Sequence, residues 1–306
     1  MKIITVCALV FVFFCQTITA QTPKPAFNPN RQYTIPFLLT SYNNLRVQAV
    51  LNNTDTVQLM FHTASSSVTL TEAAIKKITS WHVNRTDSVK SWGGNGASQC
   101  SQYNTVQIQG MQWDSIAIWE DKNSGQFTDG KFGTDLFANQ VIDIDFVKNR
   151  ITISPALPRK IKKYTKCKLT HHNDMLFIEA QCTMGNTNCS NLFLIHSGYA
   201  GAVLFDDQFV AENGLTEKLQ VIGEKDLKDS YGHILKTKKA ILPVLKIGND
   251  TLQNVPAGFF EGAIGRQKMS VLGGDVLKRF NIIIDAQREY IYLKANALKN
   301  SNYTNT

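Results

Sequence analysis

Apolar and β-branched residues occur along this chain in short runs that are separated by turn-forming residues. Such runs cover residues 57–61, 106–108, 116–118, 141–145, 150–153, 192–195, 281–284 and 290–293. Helical periodicity is confined to brief pieces at 72–78 and 207–212, the second with Asp206 or Asp207 as its N-cap. Short strands at this density predict sheets packed on sheets or a barrel. We therefore predict an all-β protein.

The pattern repeats once along the chain. The residues that recur identically 140 positions later are Gly133, Asp135, Ile144, Asp145 and Ile151. Upstream of these, an apolar strand ends in His-Thr-Ala at His62 and in His-Ser-Gly at His196, 134 positions apart. Such self-similarity indicates two copies of one architecture. The predicted lobes are residues 33–158 and 167–296, and a basic linker at 159–166 joins them.

The first twenty residues have the pattern of a secretory signal peptide. Lys2 gives a positive start, residues 3–14 are almost all apolar, and small residues lead up to Ala20. The apolar run is too short to span a membrane comfortably, and no later stretch reaches 18 apolar residues. We therefore expect an exported protein, periplasmic or extracellular, with no membrane span. Cys15 leaves lipid attachment open, although Phe14 before it is bulkier than such sites favour.

Composition narrows the class of partner. A chain of 306 residues that is 43% hydrophobic and 18% charged is globular, which excludes a disordered or fibrous protein. The net charge of +8 is compatible with an anionic partner without requiring one. Six basic residues fall within 159–168, which favours a solvated connection between the lobes over a docking surface for anions. No nucleic-acid-binding module is recognisable, so we expect no nucleic acid as a partner. We also expect the protein to be a monomer.

The ends of the chain and its cysteines complete this organisation. We expect an N-terminal linker at 21–32 and a polar tail at 297–306, which should be disordered from Asn300 to Thr306. The cysteines beyond the signal segment are Cys100, Cys167, Cys182 and Cys189. Cys182 and Cys189 flank a loop of turn-forming residues, which predicts a disulfide across a hairpin, with four unpaired thiols as the alternative. Their spacing excludes a zinc site of the CxxC type.

The repeated segments resemble the pepsin and retropepsin superfamily of aspartic proteases, most of all its exported two-lobed members. The resemblance covers nearly all of residues 33–295, and its most specific part is residues 271–281 followed by Ile284 and Asp285. It implies two pseudo-symmetric, retropepsin-like β-barrel lobes around a central cleft. It also implies a flap hairpin in each lobe, and these flaps correspond to Trp92, Gly93 and Gly94 in the first lobe and to Tyr231, Gly232 and His233 in the second.

The resemblance fails at the catalytic positions. Each lobe of the family contributes one aspartate, and one carboxylate of the pair takes a proton from the attacking water. The matching residues here are His62 and His196, while Thr63, Ser197 and Gly198 retain the residues that, by resemblance, brace the two site loops. Imidazoles cannot hold the negative charge that this mechanism requires. Peptide hydrolysis by this route should therefore fall by orders of magnitude.

Three hypotheses remain open for the histidine pair. The preferred one is a catalytically inactive or impaired protein that binds peptide or protein in the cleft. A second is a zinc or copper site formed by His62, His196 and His233, because neutral imidazole is a common ligand for both metals. A third is an active hydrolase in which the two imidazoles serve as acid and base.

Overall fold

Strands dominate the structure. The computed structural model describes residues 24–91, 94–172, 174–229, 232–260 and 267–304. Strands contain 54% of the residues and helices contain 11%, and the strands form two closed six-stranded barrels. The prediction of an all-β, two-lobed protein is therefore confirmed. The predicted signal peptide lies outside the described residues.

The first half of the chain contains twelve strands among the described residues. They are β1 (Lys24–Pro25), β2 (Tyr33–Pro36), β3 (Leu38–Leu39), β4 (Leu45–Leu51), β5 (Asp55–Phe61), β6 (Val68–Thr71), β7 (Arg85–Ser91), β8 (Gly94–Ile108), β9 (Met111–Asp121), β10 (Gly130–Phe132), β11 (Val141–Asp145) and β12 (Arg150–Ser154). One helical turn, α1 (Glu72–Ile75), follows β6, and 3-10 turns cover Thr134–Phe137 and Arg159–Lys163.

The second half repeats this organisation. Its elements are β13 (Thr165–His172), β14 (Met175–Met184), β15 (Thr187–His196), β16 (Val203–Leu204), α2 (Asp207–Asn213), α3 (Leu215–Lys218), β17 (Val221–Lys228), β18 (Ile234–Ile247), β19 (Asp250–Phe259), β20 (Ser270–Gly273), α4 (Gly274–Leu277), β21 (Phe280–Ile284) and β22 (Tyr290–Ala295). The expected N-cap of α2 is Asp206, whose carboxylate accepts a hydrogen bond from Phe209 N at 2.7 Å.

The two motif strands hold equivalent positions in the two halves. In the first half β5 runs parallel to β10, with Phe61 beside Phe132. In the second half β15 runs parallel to β20, with His196 beside Gly273. Phe61, Phe132 and Phe193 are fully buried in the core. Because burial fixes the register of each strand, it also fixes where the strand ends and where the following histidine loop begins.

One continuous sheet joins the two halves. The order β13-β22-β21-β11-β12-β2 places strands of both halves side by side, and β11 pairs antiparallel with β21. The joining strands carry repeated residues, and in the shared register Ile144 faces Ile282 and Ile142 faces Ile284. The segment predicted as a basic linker is ordered here, with a 3-10 turn over Arg159–Lys163 that leads into β13. The shared sheet fixes the relative position of the lobes, and with it the geometry between them.

Up to Thr304, the last residue that the structure describes, the polar tail is ordered against the second half, which corrects the expectation of disorder from Asn300 onward. The guanidinium of Arg279 donates to the carbonyls of Leu298, Lys299 and Ser301, and it lies 3.8 Å from the centre of the Tyr303 ring. Thr304 N donates to Asp275 Oδ2 at 2.7 Å. The physical reason is the buried arginine, which needs acceptors that the tail's backbone provides.

The predicted disulfide between Cys182 and Cys189 is not formed. Both are free thiols, although they face each other in the β14–β15 hairpin. A two-residue connection makes Met184 and Thr187 the hydrogen-bonded pair at the turn. Cys182 and Cys189, two positions further on, are again a hydrogen-bonded pair, with Cα atoms about 5.5 Å apart. This pairing holds the Cβ atoms farther apart than the roughly 3.8 Å that a disulfide favours.

Candidate functional site

The structure brings the two histidines together at the junction of the lobes. His62 follows β5 and His196 ends β15, so each ring belongs to the same point of its half. Their ring centroids are 4.5 Å apart, and the ring planes are inclined by 57°. His62 is buried and His196 is partly exposed. These are the positions at which the resemblance places the two catalytic aspartates.

Reciprocal hydrogen bonds brace the two histidine loops. Thr63 N donates to Ser197 Oγ and Ser197 N donates to Thr63 Oγ1, both at 3.0 Å. Thr63 Oγ1 in turn donates to Ile195 O at 2.7 Å, and Ser197 Oγ donates to Phe61 O at 2.8 Å. Each hydroxyl therefore crosses to the backbone of the other half. Since Thr63 and Ser197 are both buried, these bonds hold the two rings in a fixed relation.

A neighbouring loop adds a second connection between the halves. Asn43 Nδ2 donates to Ala200 O at 2.8 Å, and Asn44 Nδ2 donates to Ser197 O at 3.3 Å. Asn43 Oδ1 accepts a hydrogen bond from Lys278 Nζ at 3.0 Å. Sequence analysis missed these contacts, because the asparagines lie more than 150 positions from their partners and follow no local pattern.

The immediate surroundings of the two rings differ. His62 Nδ1 accepts a hydrogen bond from Ala64 N at 3.1 Å, so neutral His62 carries its proton on Nε2. A Cβ at Gly198 would overlap Nε2 and Cδ2 of His62, so glycine is required there by the size of the imidazole. By contrast, Nδ1 of His196 is fully buried and has no hydrogen-bond partner within the described part of the chain.

Burial and positive neighbours keep both rings neutral. Burial lowers the pKa of His62 well below its usual value, and the charges of His196 and Lys131 lower it further. Burial also lowers the pKa of His196, to about 4, with a further lowering by Lys131. No carboxylate of the described residues acts on either ring to raise its pKa. At pH 7 the pair therefore carries neither the negative charge of an acid dyad nor a fixed positive charge.

Lys131 is the site residue that sequence analysis did not find. It lies in β10, its side chain is 12% exposed, and its Nζ is 3.1 Å from Asp121 Oδ2. Asp121 is buried and also accepts a hydrogen bond from Thr69 Oγ1 at 2.6 Å. The sequence signal that could have identified it is a charged residue in a short strand, next to the buried Phe132. That strand pairs with the apolar end of β5.

Other carboxylates do not replace the missing pair. Asp55 accepts hydrogen bonds from the backbone amides of Thr79 and Ser80. Asp135 lies in the 3-10 turn after β10, where burial raises its pKa to about 6. Asp275 forms an ion pair with Lys278 at 2.7 Å. None of these carboxylates forms a hydrogen bond with His62 or His196.

An apolar cluster in the second lobe includes Ala64 and Tyr199, which follow His62 and His196 in the two histidine loops. Its partly exposed members are Ala64, Met175, Tyr199, Leu227, Leu235 and Met269. They pack on a buried group that consists of Phe177, Leu194, Leu204, Phe260 and Val271. Leu227 of β17 faces Leu235 of β18 across the second-lobe hairpin. We call these eleven residues the apolar wall.

The tip of the second-lobe hairpin contacts the first lobe. Asn123 Nδ2 donates to Lys228 O at 3.2 Å and to Asp229 O at 3.3 Å. His233 Nδ1 is 2.8 Å from Asp229 Oδ2, and Gly232 N donates to Asp229 O, so the tip is closed on itself. Of the other predicted flap residues, Trp92, Gly93 and Tyr231 lie outside the described residues, and Gly94 begins β8.

The predicted metal site is not assembled. His233 pairs with Asp229 and forms no contact with His62 or His196. Among the described residues there is no group of three or more His, Cys, Asp or Glu side chains with the geometry of a metal site. The hairpin tip instead contacts Asn123 of the first lobe, so the described residues do not bring His233 together with His62 and His196.

The histidine pair should make the protein less stable in acid. An unfolded histidine titrates near pH 6.5, whereas folded His196 titrates at about 4. Between these values the unfolded chain binds more protons, so the free energy of unfolding falls as the pH falls. The expected loss from His196 between pH 7 and pH 4 is up to about 3 kcal/mol. Urea unfolding at pH 7, 5.5 and 4 measures it, and a His196→Gln variant with the same pH slope as the natural protein would contradict the prediction.

A solved structure shares this architecture. The crystal structure of the aspartic proteinase from Irpex lacteus superimposes with a TM-score of 0.57 and 13% sequence identity, over 89% of this chain and 99% of that chain. The chain has the pepsin-like fold. The fold implied by the repeated motifs is therefore confirmed. Similarity at 13% identity establishes the fold alone, so what the cleft does depends on its own residues.

The evidence for the pepsin-like fold comes from the structure and not from sequence similarity. No family model matches the chain, and no curated protein matches it. Within the described residues, no helix is long and apolar enough to cross a membrane.

Proposed function

We propose that this protein binds a peptide or an extended protein segment in the cleft between its lobes and does not hydrolyse it. The observation that supports the proposal is the pair of neutral imidazoles, 4.5 Å apart, at the positions of the acid dyad in a pepsin-like fold. The N-terminal segment of the sequence adds the proposal that this binding takes place outside the cytoplasm.

Loss of hydrolysis follows from the charge of the pair. In an aspartic protease one ionised carboxylate takes a proton from water, and the other, protonated carboxyl donates to the substrate carbonyl. Here burial and Lys131 hold both rings in the neutral form at pH 7. At low pH the rings gain positive charge, which is the opposite of what water activation requires. The pH at which family chemistry operates is therefore the pH at which this pair is least suited to it.

Retention of binding follows from what surrounds the pair. The brace between Thr63 and Ser197 preserves the relation of the lobes at the cleft floor. The apolar wall includes Ala64 and Tyr199 from the two histidine loops and leaves side chains such as Leu227 and Leu235 partly exposed, so that ligand side chains could bury them. Burial of apolar area contributes roughly 25 cal/mol per Å². A pocket with apolar walls and a few polar groups at its floor is the usual form of a ligand site.

Substitution of Leu235 should weaken this binding. Leu235→Asp places a charge within the apolar wall, so we expect the affinity for cleft-binding peptides to fall about 10-fold or more. The measurement is retention of a degenerate nonapeptide mixture on immobilised protein at pH 7, with mass spectrometry to identify the retained peptides and to verify that they are intact.

Ile234 provides a matched control. It precedes Leu235 in β18, points to the opposite face of the hairpin and is 59% exposed. Ile234→Asp therefore adds the same charge one position away and should leave peptide retention within about 2-fold. Thermal unfolding of both variants verifies that they are folded. Equal retention by the two variants, or cleaved peptides from the natural protein, would refute the proposal.

A further inference from the structure

The cleft floor has a different charge from that of an acid dyad. Two imidazoles occupy the dyad positions, and Lys131 lies close enough to lower the pKa of both. The carboxylate that accompanies Lys131 belongs to Asp121, which is buried and held by Thr69. Lys131 of β10 therefore acts on both rings, and His196 acts on His62. Asp121 of β9 acts on the rings only through its ion pair with Lys131.

The rings also present hydrogen-bonding atoms without partners. Because His62 Nδ1 accepts from the Ala64 amide, the proton of neutral His62 is on Nε2, which has no hydrogen-bond partner in the described parts of the chain. Nδ1 of His196 is buried and unpartnered, so neither tautomer of His196 satisfies the ring. An N–H that has no acceptor and that no carboxylate faces is a donor for an anionic oxygen.

From this geometry we infer that the cleft floor binds a carboxylate of the ligand, so that the preferred peptide places an Asp or Glu side chain, or its C-terminal carboxylate, against His62 and His196. The inference rests on the proposed function, since it names the ligand class of the same cleft. A cleft that binds a carboxylate differs from one that binds a neutral peptide, because contacts to the peptide backbone and to apolar side chains would be enough to bind the neutral peptide.

Binding of a carboxylate should be accompanied by proton uptake. A negative charge at the floor favours the imidazolium form and raises the pKa of the rings above the lowered values of the empty cleft. Affinity for the carboxylate should therefore increase as the pH falls from 7 toward 5, until the bound rings are protonated.

The first experiment uses acetate and acetamide as matched probes. The natural protein, labelled with ¹⁵N in its histidines, is titrated at pH 6 with sodium acetate, with acetamide and with sodium chloride of equal ionic strength. We expect saturable shifts of the His62 and His196 imidazole signals with acetate, at least 10-fold tighter than with acetamide, and none with chloride. Equal responses to acetate and acetamide, or no response to either, would overturn the inference.

The second experiment separates the carboxylate inference from the proposed function. Acetylated, amidated nonapeptides with Glu at the centre are compared with an otherwise identical set that has Gln, with every other position degenerate over uncharged residues. A third set has Gln at the centre and an unblocked C-terminus.

The retention of these sets at pH 6 gives distinct outcomes. We expect the Glu set or the unblocked set to be retained at least 10-fold more than the amidated Gln set, and the better of the two identifies the source of the carboxylate. Retention of all three sets to the same extent overturns the inference and supports the proposed function. Retention of none, together with a specific acetate response, refutes peptide binding and supports the carboxylate site.

Discussion

His62→Asp combined with His196→Asp should give this protein a peptidase activity at pH 4 to 5, which we expect to be absent from the natural chain. The Thr63–Ser197 brace and Gly198 are present, so two carboxylates would enter a scaffold that already holds their positions together. Two like charges in contact would share one proton, which supplies one acid and one base. Such acid–base groups contribute about 10²–10⁴-fold in rate. We expect a gain of that size in the hydrolysis of a quenched fluorescent peptide mixture.

The matched control has asparagine at both positions. His62→Asn with His196→Asn creates side chains of the same shape as aspartate but without charge, and it should give no activity. Lys131 should favour the ionised form of the new carboxylates and displace the pH optimum toward acid. If the aspartate variant folds with the stability of the asparagine variant and still hydrolyses nothing, the scaffold has lost more than its two acids.

Replacement of Arg279 by methionine should cause the largest loss of stability among single substitutions at the interface of the tail and the second lobe. Arg279 is 1% exposed and donates to the carbonyls of Asp275, Leu298, Lys299 and Ser301. Methionine fills a similar volume but leaves these carbonyls without their donor, while the carboxylate of Asp275 keeps Lys278 and the Thr304 amide as partners. A buried polar group that loses its partner costs about 1–3 kcal/mol, so we expect the lost bonds to lower the free energy of unfolding by about 3–5 kcal/mol in total.

Urea unfolding at pH 7 measures this effect. Arg159→Met is the control, because Arg159 is exposed on the 3-10 turn before β13 and should change the free energy of unfolding by no more than about 0.5 kcal/mol. A loss of less than 1 kcal/mol in Arg279→Met would show that the tail does not contribute to the stability of the second lobe. The tail would then be attached to the surface without supporting it.

The motif repeat allowed much of the fold and the centre of the site to be predicted. An apolar strand that ends at His62, and a second one that ends at His196, are local patterns whose burial determines their register. Once two such copies were recognised, the pairing of the two positions followed from symmetry. The sheet that the two lobes share could not be predicted in this way, because the pairing of β11 with β21 depends on how the lobes meet and not on either sequence segment alone.

The errors have specific physical causes. The disulfide prediction used the spacing of Cys182 and Cys189, whereas their position in a hydrogen-bonded pair of the hairpin keeps the thiols separate. The polar composition of the tail suggested disorder, but a buried arginine binds backbone carbonyls of any sequence. Lys131 was overlooked because its effect on the rings depends on a three-dimensional approach that neither periodicity nor spacing records.

The central claim about this protein is that the imidazole pair stands beside a bound ligand without cleaving it. The most direct measurement is incubation of the purified natural chain with a proteome-derived peptide library from pH 3 to pH 8, followed by mass spectrometric counting of new peptide termini. We predict that neither the natural chain nor a variant with His62→Ala and His196→Ala produces new peptide termini above those of the library incubated alone, at any pH. Cleavage that persists in that variant and disappears when a carboxylate such as Asp135 is replaced by asparagine would contradict the account.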